Sequence, residues 1–211
     1  MEAHKQLNMW GQQSIDTFTS ALAAKTPVPG GGGATAVLGA LSSALCCMAL
    51  HFTQGKLTAA PFEDELAQLE RQLLVARSCF IQLIDDDARA FEPLSQAWAI
   101  PKDNPCRAKA IDKATWEAAQ PPRRMMRELI KLIPVFERMA IIGSPIMRSD
   151  VACGAVTARA ALMCAAINIE VNADALTNTE QANELKHEIE HMRNHELSRL
   201  DALIDSLVTP T

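Results

Sequence analysis

The chain has 211 residues, 48% hydrophobic and 4% aromatic with no tyrosine, and a formal net charge of −5. That length supports one domain with a real core, and the shortage of aromatics beside abundant Ala and Leu favours helices over strands. The acidic balance, with no basic run, excludes non-specific nucleic-acid binding but leaves room for a local cationic pocket.

In chain order, the first ten residues, MEAHKQLNMW, carry no signal-peptide pattern. A first helix is predicted over 5–24, ended by the Pro27–Gly33 region. Gly30, Gly31, Gly32 and Gly33 then form a four-glycine loop ahead of a nearly uncharged helix at 34–54. Without a Cβ, such a loop can lie against a ligand or a neighbouring backbone and present several N–H groups together. A helix N-terminus behind it adds partial positive charge, which suits an anion or a carbonyl. The plain alternative is punctuation before a helix. A P-loop is excluded, because its lysine would follow the glycines directly and Lys56 comes only after the helix.

In the 34–54 helix, Leu38, Leu41, Leu45, Met48 and Phe52 form a stripe of large residues. Ala36, Ala40, Ala44, Cys47 and His51 form a face of mostly small residues that permits close helix approach. Residues 33–54 lack any formal charge and reach transmembrane length. Their Gly, Ala, Ser and Cys content, His51 and the lack of an aromatic belt favour a buried helix and no membrane span.

A third helix is predicted over 62–99, kinked near Pro93. Its apolar stripe of Leu66, Leu69, Leu73, Ala76, Phe80 and Leu83 meets an aspartate at position 87 before resuming at Ala90, Leu94 and Ala97. In Asp85-Asp86-Asp87 the first two can turn to water, whereas Asp87 falls on the core side. A carboxylate there needs a partner, a proton or a cavity. It is either satisfied by a helix end or an arginine, or tuned for general acid–base work.

A fourth helix spans 106–141, interrupted at Pro121-Pro122 and strained at Pro134, before a Gly-Ser-Pro break at 143–145. A fifth runs over 150–169, opened by Ser149-Asp150, which reads either as an N-cap or as a second carboxylate facing a pocket. Asn168 and Asn172 share a face, for capping and inter-helix hydrogen bonds or for recognising a polar heterocycle. The last helix, 178–207, has Thr179 available as a cap. It holds His187-Glu188-Ile189-Glu190-His191, literally the zinc-protease pattern. Its apolar face is Ala182, Leu185, Ile189, Met192, Leu200, Leu203 and Leu207, about 200° from the histidines at 100° per residue. The histidines therefore face solvent, and no metal site is expected.

The six cysteines at 46, 47, 79, 106, 153 and 164 show no CxxC pair or metal spacing. Those at 46, 47, 153 and 164 read as small hydrophobes in a reduced, cytoplasmic protein. With no repeat or linker to divide it, 1–211 is expected to be one all-α domain, an up-and-down bundle around a central Ala/Gly-rich helix pair.

Several of these segments together resemble the formiminotransferase-cyclodeaminase family, in its cyclodeaminase/cyclohydrolase domain. They are Pro29-Gly30-Gly31-Gly32, Thr53-Gln54-Gly55-Lys56, the run from Leu83 to Phe91, Ile100-Pro101-Lys102, Ser149-Asp150 and the run from Asn168 to Asn172, all in the same order. The resemblance implies an all-helical homodimer acting on one-carbon forms of tetrahydrofolate. Such proteins hydrate 5,10-methenyltetrahydrofolate to 10-formyltetrahydrofolate, or cyclise 5-formiminotetrahydrofolate with release of ammonia. No cofactor beyond that substrate is implied. Asp87 and Asp150 become the candidate catalytic carboxylates. Gly30 to Gly33, Asn168 and Asn172 become candidate substrate-binding residues, and Lys56 a partner for the substrate's anionic glutamate tail. Two positions depart from the family pattern: Gly33 where serine is usual, and Ser144 where asparagine precedes the proline. They leave a second expectation, a non-catalytic helical dimer that keeps the fold and a ligand pocket.

Overall fold

In a computed structural model describing residues 9–209, the chain folds into an all-α bundle with no strand among the described residues. The helices are α1 (Ile15–Ala23), α2 (Gly31–His51), α3 (Glu63–Trp98), α4 (Arg107–Ala118), α5 (Gln120–Ile142), α6 (Arg148–Ala175), α7 (Thr179–His191) and α8 (Leu197–Val208). Helix α2 is the hub and packs on α3, α5 and α6.

Local chemistry explains where these boundaries depart from the expected ones. The first helix does not extend over 9–14. A short 3-10 turn, Trp10–Gln12, comes first, and Ser14 caps α1 by accepting from the Thr17 N–H at 3.1 Å; positions 5–8 lie outside the described residues. Gly31, Gly32 and Gly33 are not a loop. They are the first turn of α2, with Gly30 as N-cap. The predicted fourth helix divides at Ala119 into α4 and α5, and Pro121-Pro122 sit in the first turn of α5, where a missing N–H costs nothing. Helix α6 starts before the expected cap, so Ser149-Asp150 lie inside its first turn, and it continues past Asn172. Asn178, not Thr179, caps α7, accepting from the Glu180 and Gln181 N–H groups at 3.1 Å. A single π turn, Met192–Glu196, joins α7 to α8.

Which face of α2 turns inward follows from size. Ala36, Ala40, Cys47 and the intervening small residues are buried, because Cβ-poor surfaces let α3 and α6 approach. Of that face Ala44 and His51 are exposed. The large stripe turns outward, with Leu41, Met48 and Phe52 exposed, Phe52 by 57%. Gly39 and Gly154 mark the closest crossings: an added Cβ would lie 2.6 Å from the Phe80 ring and 2.8 Å from the Phe136 ring, respectively. Gly31 faces Asn168 and Leu45 faces Gly154, so α2 and α6 run antiparallel. The segments Gly31–His51 and Pro145–Ala175 have the length and composition of membrane spans, with mean hydropathies of 1.8 and 1.5. Here much of their apolar surface packs on other helices of the bundle.

The stripe on α3 is buried from Leu66 to Leu83, and the α7–α8 face from Ala182 to Leu207 is buried as well. Leu94, Ala97, Ala114 and Ala118 form a second, smaller core between the end of α3 and α4. Cys46 and Cys47 are buried, whereas Cys153 is exposed and Cys164 half-buried, so the α6 cysteines are not core hydrophobes.

Gly39→Ala should force the fully buried Phe80 ring aside. Overpacking of this kind typically costs about 1–3 kcal/mol, and urea unfolding of the variant should show a lower midpoint with an unchanged slope. An unchanged midpoint would mean that the α2–α3 crossing relaxes freely.

Candidate functional site

A cavity of about 270 Å³ opens at the N-terminal end of α2. That is slightly below the range that encloses a drug-sized ligand, about 300–1,000 Å³, so it suits a ring system whose tail extends outside. Its polar floor is Gly30, Gly31 and Gly32 with Asp87, Asn168 and Asn172. Phe91, Leu94 and Trp98 line it from α3, and Ile111, Thr115 and Ala118 from α4.

Asp87 lies against the backbone of α2. A Cβ on Gly32 would overlap its carboxyl group, with Oδ2 only 2.6 Å away, so only glycine permits this approach. Burial pushes the Asp87 pKa up from 3.8 to about 6, opposed by a hydrogen bond from the Gly33 backbone N–H. Among the described residues no ion pair involves Asp87. Its neighbours fare differently. Asp86 is half-buried and pairs with Arg89 and Arg124. Asp85, expected to turn to water, is buried and accepts from the Trp10 N–H at 2.6 Å and the Gly11 N–H at 3.4 Å. It ties the segment before α1 to α3.

Asn168 and Asn172 each spend one amide N–H on a carbonyl four residues back, Cys164 O and Asn168 O, both at 2.8 Å. These bonds set the side-chain directions and leave each Oδ1 free to accept from a ring N–H. Asn168 Oδ1 sits 3.3 Å from where a Cβ on Gly31 would be. Gly33 does not line the cavity; it contributes its N–H, and a side chain there would meet Pro29 and Phe18 at ordinary contact distances.

Two aromatics were missed in the sequence. Phe91 and Trp98 meet edge to face, with centroids 5.7 Å apart and planes at 75°. Trp98, 51% exposed, offers a flat surface to a ligand. The signal was present: positions 87, 91, 94 and 98 fall on one helical face.

Lys56 and Asp150 are not brought to this cavity. Lys56 Nζ donates to Ser144 Oγ at 2.7 Å, and the Ser144 N–H donates to Thr53 Oγ1 at 2.8 Å, all beyond the C-terminal end of α2. Asp150 is in the nearby first turn of α6. Twenty helical steps of 1.5 Å put that end about 30 Å from Gly31. Among the described residues no lysine or arginine lines the cavity.

His187, His191 and His195 are exposed, and Glu188 is held by Arg123 and Arg127. Arg123 is itself buried, pairs also with Glu184 and lies over Trp116. No group of three His, Cys, Asp or Glu side chains able to hold a metal occurs among the described residues.

The formiminotransferase-cyclodeaminase family model matches residues 14–191. A methenyltetrahydrofolate cyclohydrolase of Methylorubrum extorquens is 33% identical over 86% of this chain and 89% of its own length. The formimidoyltransferase-cyclodeaminase of Sus scrofa is 24% identical over 92% of the chain, which spans 36% of that longer protein. The crystal structure of formiminotetrahydrofolate cyclodeaminase from Thermotoga maritima superposes with a TM-score of 0.83 over 93% of this chain and 94% of the other, at 23% identity, a likeness of fold.

Because the folded state raises the Asp87 pKa from 3.8 to about 6, folded protein binds this proton more tightly than unfolded protein. The stability linked to it is fully present below about pH 4 and is lost as pH rises through about 6. Asp87→Asn removes that loss. The variant should melt at or above the wild-type temperature at pH 8, and its advantage should shrink as pH falls towards 4. A variant that melts well below wild type at pH 8 would show instead that the carboxylate is held by a favourable partner.

Proposed function

The chain belongs to the formiminotransferase-cyclodeaminase family, and we propose that it is an enzyme of tetrahydrofolate one-carbon chemistry, a 5,10-methenyltetrahydrofolate cyclohydrolase. The observation that carries this reading is the desolvated carboxyl of Asp87, in no ion pair among the described residues and set against the α2 N-terminus in a cavity of heterocycle size. The end-to-end similarity to the Methylorubrum cyclohydrolase favours hydration over cyclodeamination.

The methenyl carbon of the substrate is an electrophilic amidinium, so a positioned water and a base suffice to open it. Asp87 as carboxylate takes a proton while the water oxygen bonds to that carbon. The tetrahedral adduct then collapses to the formyl group as the bond to N5 breaks. Asp87 returns its proton to N5, and the second proton of the water leaves to solvent. A pKa near 6 suits a group that must take and give a proton near neutrality. The Asn168 and Asn172 Oδ1 atoms accept from pterin N–H groups, and the Trp98 face covers the aromatic part of the ligand. The outward large-residue stripe of α2 supports a homodimer.

The loss of methenyltetrahydrofolate absorbance should be faster with protein than in buffer. Asp87→Asn should slow it by about two orders of magnitude or more, the scale of a lost general acid–base group, while the variant stays folded. The pH profile should show a limb near 6, rising with pH for hydration, which needs the carboxylate; a limb falling with pH, with ammonia from the formimino substrate, would assign cyclodeamination, which needs the acid. Folate binding without turnover of either substrate would leave the non-catalytic dimer.

Trp98→Leu should raise KM about tenfold with kcat little changed, the effect of a lost stacking contact of about 1.5 kcal/mol. An unchanged KM would remove Trp98 from the binding surface.

A further inference from the structure

The cavity is incomplete in one respect. Among the described residues it holds a carboxylate and two amides but no cation, although the substrate proposed above has a tail bearing two carboxylates. The cation at hand, Lys56, stands at the other end of α2, where its hydrogen-bond partner among the described residues is a neutral hydroxyl, Ser144 Oγ. Neither a lysine side chain nor a local rearrangement spans about 30 Å.

The surface between these two ends is apolar. On α6, Cys153, Val156, Ala160, Ile167 and Val171 are exposed at steps of three, four, seven and four residues, with the half-buried Met163 and Cys164 filling the gap. This stripe begins near the Lys56–Ser144 cluster and ends at Val171, which lines the cavity. The exposed large residues of α2 adjoin it, joined where Leu45 Cβ lies 3.4 Å from the Cβ position of Gly154. The charged residues of α6 are drawn to other sides: Arg148 bonds the carbonyls of Ser206 and Leu207, Arg159 pairs with Asp201, and Glu170 with Arg193. An unbroken apolar stripe of this kind marks an interface, and a self-complementary one is closed by a twofold axis.

We propose that two copies pair α6 against α6, antiparallel about a twofold axis near Ala160, so that each cavity is completed by the partner's Lys56. With the axis there, the cavity end of one α6 lies opposite the Ser149 end of the other, because 149 and 171 are equally far from 160. Helix α2 follows in the same sense, since it runs antiparallel to α6 with Gly31 beside Asn168. The Lys56 end of one copy thus meets the Gly30 end of the other, where it reaches the carboxylates of the tail that extends from the cavity. The two groups of motif residues, at opposite ends of one protomer, become one site in the dimer. This inference rests on the folate reading for the identity of the tail.

The test is complementation between subunits. Lys56→Met and Asp87→Asn homodimers should each lose tenfold or more in kcat/KM, the scale of a charge-assisted hydrogen bond or of a lost proton-transfer group. Co-expression with two affinity tags yields heterodimers in which one cavity has both residues intact, so the random mixture should recover about one quarter of wild-type kcat/KM. Recovery no greater than the parents, with heterodimers present, overturns the shared site and leaves the enzyme reading standing. No wild-type turnover removes that reading and the shared site with it. Ala160→Arg sets two guanidiniums against each other at the axis and should sediment as a folded monomer. A dimeric Ala160→Arg, or a monomeric wild type at micromolar concentration, overturns the interface whatever the turnover.

Discussion

The structure turns on the approach of the Asp87 carboxyl to the backbone of Gly32. No other residue type at 32 leaves room for it, and the contact joins α2 to α3 at the point where the cavity opens. Half-buried at the cavity floor, the carboxyl has its pKa pushed up to about 6; placed over a helix N-terminus, it keeps a hydrogen bond that favours the charged form. These opposed influences put both protonation states within reach at neutral pH, as proton transfer to and from a ring nitrogen requires.

The same absence of side chains explains the centre of the bundle. Helix α2 turns its Ala, Gly and Cys face inward, so α3 and α6 approach closely at Gly39 and Gly154. The large residues that such a seam cannot hold go to the outside, next to an apolar face of α6. Helix α2 thus buries mostly small residues and displays Leu41, Met48 and Phe52, the reverse of the usual economy of apolar area.

The far wall of the cavity is of a different kind. The end of α3 and α4 share a small core of their own, centred on Leu94, Ala97, Ala114 and Ala118. The cavity lies between that core and the main one, roofed by Phe91 and Trp98. Asp85 secures the segment before α1 to α3, and Arg123, with its glutamates and Trp116, secures the start of α5 to α7. The hydrogen-bonded polar groups around the site thereby brace its walls, while Asp87 enters no ion pair among the described residues.

By itself, the sequence determined the helical class, the register of the buried faces on α3 and α7–α8, and the unusual place of Asp87, because these follow from periodicity and composition along a single element. The order of the glycine, Asp87 and asparagine segments was legible too. Their meeting in one cavity was not, since three separate helices have to cross to make it. Tertiary structure alone decided that the glycines are a helix turn rather than a loop, that Asp85 is buried by a distant backbone, and that the large stripe of α2 faces outward. It also separated Lys56 and Asp150 from the cavity that holds Asp87 and the asparagines. Sequence order preserves neither distance nor direction between helices, and each of these outcomes depends on which surfaces can approach most closely.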